Sequence, residues 1–263
     1  MIDLAPPGPL GVACGALFGA LIGSFLNVCI LRWGAEPKES IVHPRSHCPR
    51  CGKGLSWYEN VPVVSWLLLG GRCRGCSQPI SIIYPVIELA TAALWGYMVW
   101  RRGLTLEALR GSVFGTLLLG IAMTDARKYI IPDEFTWGGL VIGLLFSLAG
   151  GLEGLGAAVL GAAVGFGILW LVGTVGTWVF KEDAMGGGDI KMMAMVGAFL
   201  GWQGVLLTIF LGALAGSLVF VPLLLMGEKK LVPFGIFLAI GAAICYEAGP
   251  ALIGWYGRYL AGA

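Results

Sequence analysis

Eight apolar stretches, near residues 10–31, 80–100, 104–123, 135–151, 155–180, 190–201, 203–226 and 232–256, take up most of the 263-residue chain. Most reach or approach the roughly 20 residues that an α-helix needs to cross a hydrocarbon core. Backbone N–H and C=O groups find no water there, so a spanning segment has to satisfy them internally, as a helix does. The pattern predicts an all-α polytopic membrane protein with about eight transmembrane helices. The sixth stretch, 190–201, is too short to span comfortably, and is expected to be tilted, partly re-entrant or supported by neighbours that satisfy its ends. Only 12% of residues are charged, about half the share in a soluble domain.

Basic loops stay on the cytoplasmic side of a membrane. With the N-terminus placed outside, the inward loops hold Arg32, Lys38, Arg45, Arg50, Lys53, Arg72, Arg74, Arg127, Lys128, Lys181, Lys191, Lys229 and Lys230, 13 of the 17 basic residues. Arg101 and Arg102 argue locally the other way. The opening MIDLAPPGPL lacks a basic n-region, so the first apolar run is expected to be a retained helix and not a cleaved signal. A net charge of +2 without a basic tract gives no reason to expect a nucleic-acid partner; membrane lipid is the expected surrounding. Most of the 43 glycines fall inside the apolar runs, where small residues let membrane helices approach closely.

One long hydrophilic segment, about residues 32–79, follows the first helix. It contains Cys48 and Cys51, then after 21 intervening residues Cys73 and Cys76. Two C-x2-C pairs offer four thiolates to a tetrahedral zinc ion. Disulfides and redox chemistry are the competing readings, but the orientation above puts the loop in a reducing compartment. A four-sulfur site has no open coordination position, so the zinc is expected to fold a small cytoplasmic loop domain and leave catalysis elsewhere. His47 could replace a thiolate, but it and His43 fit ordinary loop positions, and Cys14, Cys29 and Cys245 fit packing positions in apolar runs.

Among the acids, Asp133 and Glu134 follow Pro132 at the expected start of a helix, where negative charge meets the helix dipole. Asp125 sits at the unfavourable C-terminal end of the preceding run, where capping does not explain it. Pairing with Arg127 or Lys128 is its alternative explanation. Asp189, in AMGGGDIK, precedes an apolar run and could be an N-cap, yet one cap does not require three glycines. Glycines clear space for an extended substrate. Both aspartates belong to cytoplasmic helix ends, and two facing carboxylates in a poorly solvated site share a proton: one takes a proton from water while the other serves the scissile carbonyl. Glu88, Glu107 and Glu247 fall within or near predicted spans, where an ionisable group raises a functional question. For Glu88 an amine-orienting role stands beside helix packing.

GSFLNVCILR at 23–32, the paired cysteine loop, WYENVPVVSWLLLGGRC at 57–73, YPVIE at 84–88, the Asp125 to Asp133 segment ending in IPD, GGGDIK at 186–191 and PFG at 233–235 occur in order. On these motifs the chain resembles the type IV prepilin peptidases, GxGD-type aspartic membrane proteases of bacterial pilus and type II secretion systems. The resemblance implies that Asp125 and Asp189 are catalytic and that Cys48, Cys51, Cys73 and Cys76 hold zinc. It implies cleavage of a short basic leader after Gly in type IV prepilins and pseudopilins, then N-methylation of the new N-terminal residue from S-adenosylmethionine. It divides the chain into a methyltransferase part, 1–103, and a peptidase part, 104–263, in the bacterial inner membrane. Trp33-Gly34, Ile83 and Ile236 depart from the family's usual residues without touching the aspartates. No Rossmann-type fingerprint marks a methyl-donor site. A non-enzymatic scaffold or transporter, and a presenilin-type protease that cuts inside a helix, are the competing functions.

Overall fold

The computed structural model describes residues 8–35, 37–42, 45–226 and 233–260. Of the residues the sequence puts in loops or near ends, Asp3, Glu36, His43, Glu228, Lys229 and Lys230 lie outside these. The helices are α1 (Pro9–Trp33), α2 (Val64–Leu68), α3 (Ile83–Arg102), α4 (Leu106–Lys128), α5 (Asp133–Ser147), α6 (Gly151–Phe180), α7 (Gly187–Leu225) and α8 (Phe234–Leu260). No sheet forms among the described residues, only the isolated bridges His47–Gly54 and Arg72–Pro79.

The all-helical class is as expected; among the described residues six helical segments are long and apolar enough to cross a membrane, against the eight spans expected. Two of these segments each take in two of the eight apolar stretches. Asp133–Phe180 contains α5 and α6, joined by a 3-10 turn at Leu148–Gly150 and by Gly151 at φ 67°. The span α7 holds two helices that meet at Gly201, whose φ of 70° is a left-handed conformation that glycine adopts without a Cβ penalty.

Two compact units divide the chain, Met1–Thr116 and Leu117–Ala263. In the first, α1 and α3 run antiparallel in contact. Gly15, Gly19 and Gly23 form a stripe on α1, and a Cβ on them would come within 2.8 Å of Val99 Cγ2, 2.7 Å of the Thr91 carbonyl and 2.8 Å of Glu88 Cα. Asn27, four residues further on, donates to the Tyr84 carbonyl at 3.1 Å. In lipid no hydrophobic force draws helices together, so close backbone packing and such hydrogen bonds hold the pair.

In the second unit α7 lies between three partners. Helix α6 runs antiparallel to it, with Gly161 on Gly197 and Gly201 and with Gly165 on Met193, backbone against backbone. Helix α8 crosses it through Gly241 on the Thr208 carbonyl and Gly212 on Leu238, and α5 runs alongside with Gly139 on Met195 and Gly143 on Phe199. Met192 to Phe199 are therefore all buried. The short sixth stretch is sheathed by protein, which resolves how so brief a helix is accommodated. Outward faces are apolar instead, with Leu17, Trp170, Trp178, Phe210 and Leu218 exposed, as lipid requires.

Candidate active site

Asp125 ends its helix in an unusual setting. It is only 5% exposed, and it makes no ion pair with Arg127 or Lys128. Its Oδ2 accepts a hydrogen bond of 3.2 Å from the Ile236 N–H, 111 residues away. Ile236 belongs to the first turn of α8, whose unpaired N–H groups carry the positive end of the helix dipole. The carboxylate at the wrong end of α4 is thus received by the right end of α8. Gly235 makes the approach possible, since a Cβ there would lie 2.8 Å from Asp125 Oδ2 and 2.8 Å from Ile131 Cδ1. Sequence reasoning did not assign PFG this role; its glycine ahead of an apolar run was the available signal.

Asp189 does not cap its helix. Gly186 occupies the N-cap without a side-chain bond, and Asp189 is the third residue inside α7, its N–H bonded to the Gly186 carbonyl at 3.1 Å. Its Oδ1 is buried without a hydrogen-bond partner among the described residues. An unsatisfied buried oxygen costs roughly 1–3 kcal/mol, so this one is held in place against its own preference. The glycines differ in setting: a Cβ on Gly186 would lie 3.0 Å from Asp189 Oδ2, one on Gly188 would lie 2.8 Å from Ile131 Cβ, and Gly187 borders open space. Ile131 touches both Gly188 and Gly235, so one side chain joins the two carboxylate sites, and the charge of Asp125 acts on Asp189. These residues are assembled from the ends of α4, α7 and α8 and the turn before α5.

Asp133 opens α5, with Pro132 one position earlier than expected, at the N-cap. Lys191 Nζ lies 2.7 Å from Asp133 Oδ1, an exposed pair worth about 1 kcal/mol at most that ties α7 to α5 beside Asp189. Gly235→Ala is expected to displace Asp125 by a few tenths of an ångström or more and to lower any reaction carried by the pair on the order of 10²-fold. A turnover assay of the variant at unchanged melting temperature checks this.

In the first unit the four cysteines converge. All four Sγ atoms lie within 4.8 Å of one another, with Cys48 and Cys76 at 3.9 Å and Cys51 and Cys73 at 4.0 Å. A tetrahedral zinc with bonds of about 2.3 Å sets sulfurs about 3.8 Å apart, so the thiols fit that ion. The two knuckles repeat one design. Cys48 N–H donates to the Lys53 carbonyl at 2.9 Å and the Cys48 carbonyl accepts from Gly52 N–H at 2.9 Å; Cys73 N–H donates to the Gln78 carbonyl at 2.9 Å and the Cys73 carbonyl accepts from Ser77 N–H at 2.8 Å. Gly52 and Ser77, at the same place in each, take φ of 71° and 58°. The backbone N–H groups of Cys51 and Arg50 pull the Cys48 thiol down to about 6, into the thiolate range that ligation needs. For Cys76 the Gln78 N–H pulls down, but burial and the three neighbouring sulfurs outweigh it and push the thiol up to about 11. His47 points its Nδ1 at the Arg45 carbonyl, 3.0 Å away, and is not part of the cluster.

Comparison with known proteins adds the family. A family model described as the bacterial peptidase A24 N-terminal domain matches residues 17–102, and one described as the type IV leader peptidase family matches residues 112–221. Three relatives bear the name prepilin leader peptidase/N-methyltransferase. That of Aeromonas hydrophila is 37% identical, with 91% of each chain covered, and that of Pseudomonas aeruginosa is 36% identical over 97% of each. That of Myxococcus xanthus is 41% identical over 83% of this chain, a match spanning 64% of the relative's length. No solved structure matches. With relatives of this similarity covering nearly the whole chain, the protein belongs to the type IV leader peptidase family.

Proposed function

We propose that the protein cleaves the short basic leader of type IV prepilins and pseudopilins after Gly, with Asp125 and Asp189 acting on one water, and then N-methylates the new N-terminal residue. The observation that carries the peptidase reading is the buried, unpartnered Asp189 Oδ1 beside an Asp125 already held by the N-terminus of α8. Asp125, oriented by the Ile236 N–H, takes a proton from the attacking water. Asp189 bears the proton the pair shares and donates it to the scissile carbonyl oxygen. Gly187, bordering open space, leaves room for an extended peptide. A prepilin with an apolar helix and a charged leader places its scissile bond at this depth, with the active site and the cysteine loop on the cytoplasmic side of the bacterial inner membrane.

Residues 104–263 carry the peptidase in this reading and residues 1–103 the methyltransferase. Zinc held by Cys48, Cys51, Cys73 and Cys76 supplies folding free energy to the loop and no reaction step. S-adenosylmethionine supplies the methyl group. The function is tested by incubating the protein with a prepilin and S-adenosylmethionine and weighing the product's N-terminal peptide. Cleavage after Gly with a product one methyl group heavier is expected; a cut inside the apolar helix, or none, overturns the reading. Cys51→Ser with Cys73→Ser is expected to lower bound zinc from about one per chain to none and to expose 45–80 to proteolysis. Elemental analysis and limited digestion measure both.

A further inference from the structure

The first unit contains a cavity of about 490 Å³ lined by Asn27 and Arg32 of α1, Trp66 of α2, and Tyr84 and Glu88 of α3. Its volume and mixed apolar and polar walls are those of a small-molecule site. Two buried carboxylates border it. Glu59 is answered by Lys53 at 3.0 Å and by the Ser56 N–H at 2.9 Å. Glu88 is equally buried, at 8% exposure, but among the described residues its partners are the Val63 N–H, at 2.7 Å, and Ser24. No cation of the described residues pairs with it.

Val63 has a φ of 62°, a conformation that is an outlier for a β-branched residue and costs on the order of 1–3 kcal/mol. The fold keeps that strained peptide with its N–H on Glu88, so the carboxylate is fixed in direction. A buried carboxylate fixed at a cavity wall without a counter-ion calls for a cationic ligand. One carboxylate is too few for a hard metal ion, which takes several oxygens. The rings of Trp66 and Tyr84 and the room available suit an organic cation instead.

A second cavity, about 430 Å³, adjoins the first and shares Ser24, Val28 and Arg32 with it. It extends to Leu21 and Phe25 on the exposed apolar face of α1. Two joined cavities suit a reaction between two substrates, one of them arriving from lipid.

Resting on the methyltransferase reading above, we infer that the Glu88 cavity binds S-adenosylmethionine with its sulfonium facing Glu88, and that the adjoining cavity admits the N-terminal residue to be methylated. The acceptor ammonium gives one proton to water. Its nitrogen lone pair then forms the N–C bond while the C–S bond breaks and its electron pair stays on sulfur. The positive charge passes from sulfur to nitrogen, and S-adenosylhomocysteine leaves as a neutral thioether. Glu88 faces the cation before and after transfer and takes no covalent part.

Equilibrium dialysis of the full detergent-solubilised chain with S-adenosylmethionine and with S-adenosylhomocysteine tests this. Glu88→Gln keeps an oxygen for the Val63 N–H and removes the charge. It is expected to weaken the sulfonium nucleoside on the order of tenfold or more and the neutral thioether by less than about threefold, with leader cleavage unchanged. Equal loss of both, or of neither, while the wild type binds overturns the pocket assignment. A wild type that binds neither nucleoside and adds no methyl group overturns the methyltransferase reading and this inference with it. If Glu88→Gln does not fold, Glu88→Asp supplies the comparison: it keeps the charge and is expected to preserve the preference for the sulfonium, and loss of that preference overturns the inference.

Discussion

Asp189→Asn is expected to reduce leader cleavage by roughly 10⁴-fold or more, and Asp125→Asn by as much, in a protein that still folds. Both substitutions keep the shape of the side chain. At position 125 the amide oxygen can still accept the Ile236 N–H, so α8 stays docked while the base is lost. At position 189 an amide of the same shape takes the place of the protonated carboxyl, whose Oδ1 is buried without a partner. That variant is therefore expected to keep the wild type's stability to within about 1 kcal/mol. N-terminal mass analysis of a prepilin in membranes measures cleavage, and a detergent melting curve measures folding. Normal processing by the double variant sinks the aspartic mechanism and favours a scaffold or transporter.

The second large effect concerns a site that touches no reacting group. Gly161 and Gly197 meet backbone to backbone where α6 crosses α7, so neither can accept even a methyl group unless the helices part. Gly197→Ala is expected to cost about 1–3 kcal/mol, the range for overpacking a close interior, and to lower cleavage on the order of 10²-fold, because α7 carries Asp189 at its start and a shift near 1 Å is enough. Gly167 lies on α6, the helix of Gly161, but faces open space, and Gly167→Ala is expected to leave melting and cleavage unchanged. Matched losses in both alanine variants would place the effect in helix propensity or lipid contact and not in the crossing.

How much of this was legible beforehand follows from what each feature depends on. The apolar runs declare the helical class because membrane thickness sets their length. They do not fix the count of spans, because a break at a glycine such as Gly201, φ 70°, and an ending look alike in composition. The cysteine pairs were legible because each knuckle is local, closed by hydrogen bonds over four and five residues. Asp125 stood out as a carboxylate at the wrong end of a helix, but its receiver, the Ile236 N–H, lies 111 residues further on, beyond any local pattern. The N-cap explanation for Asp189 failed by three positions: helix α7 begins at Gly187, with Gly186 at its N-cap. Glu88 was visible only as an acid in an apolar run; the strained Val63 that aims its N–H at it gives no signal in composition.

The hydrogen bond from Ile236 to Asp125 also sets a schedule. Ribosomes deliver α4 and the start of α7 well before α8, and domains fold as their residues emerge. Until the segment around Gly235 and Ile236 has left the ribosome and entered the bundle, Asp125 has no helix terminus to hold it. A nascent chain stalled short of that point would carry both aspartates without the N–H that orients Asp125, so on the peptidase reading proposed above it is expected to cleave nothing until α8 has docked.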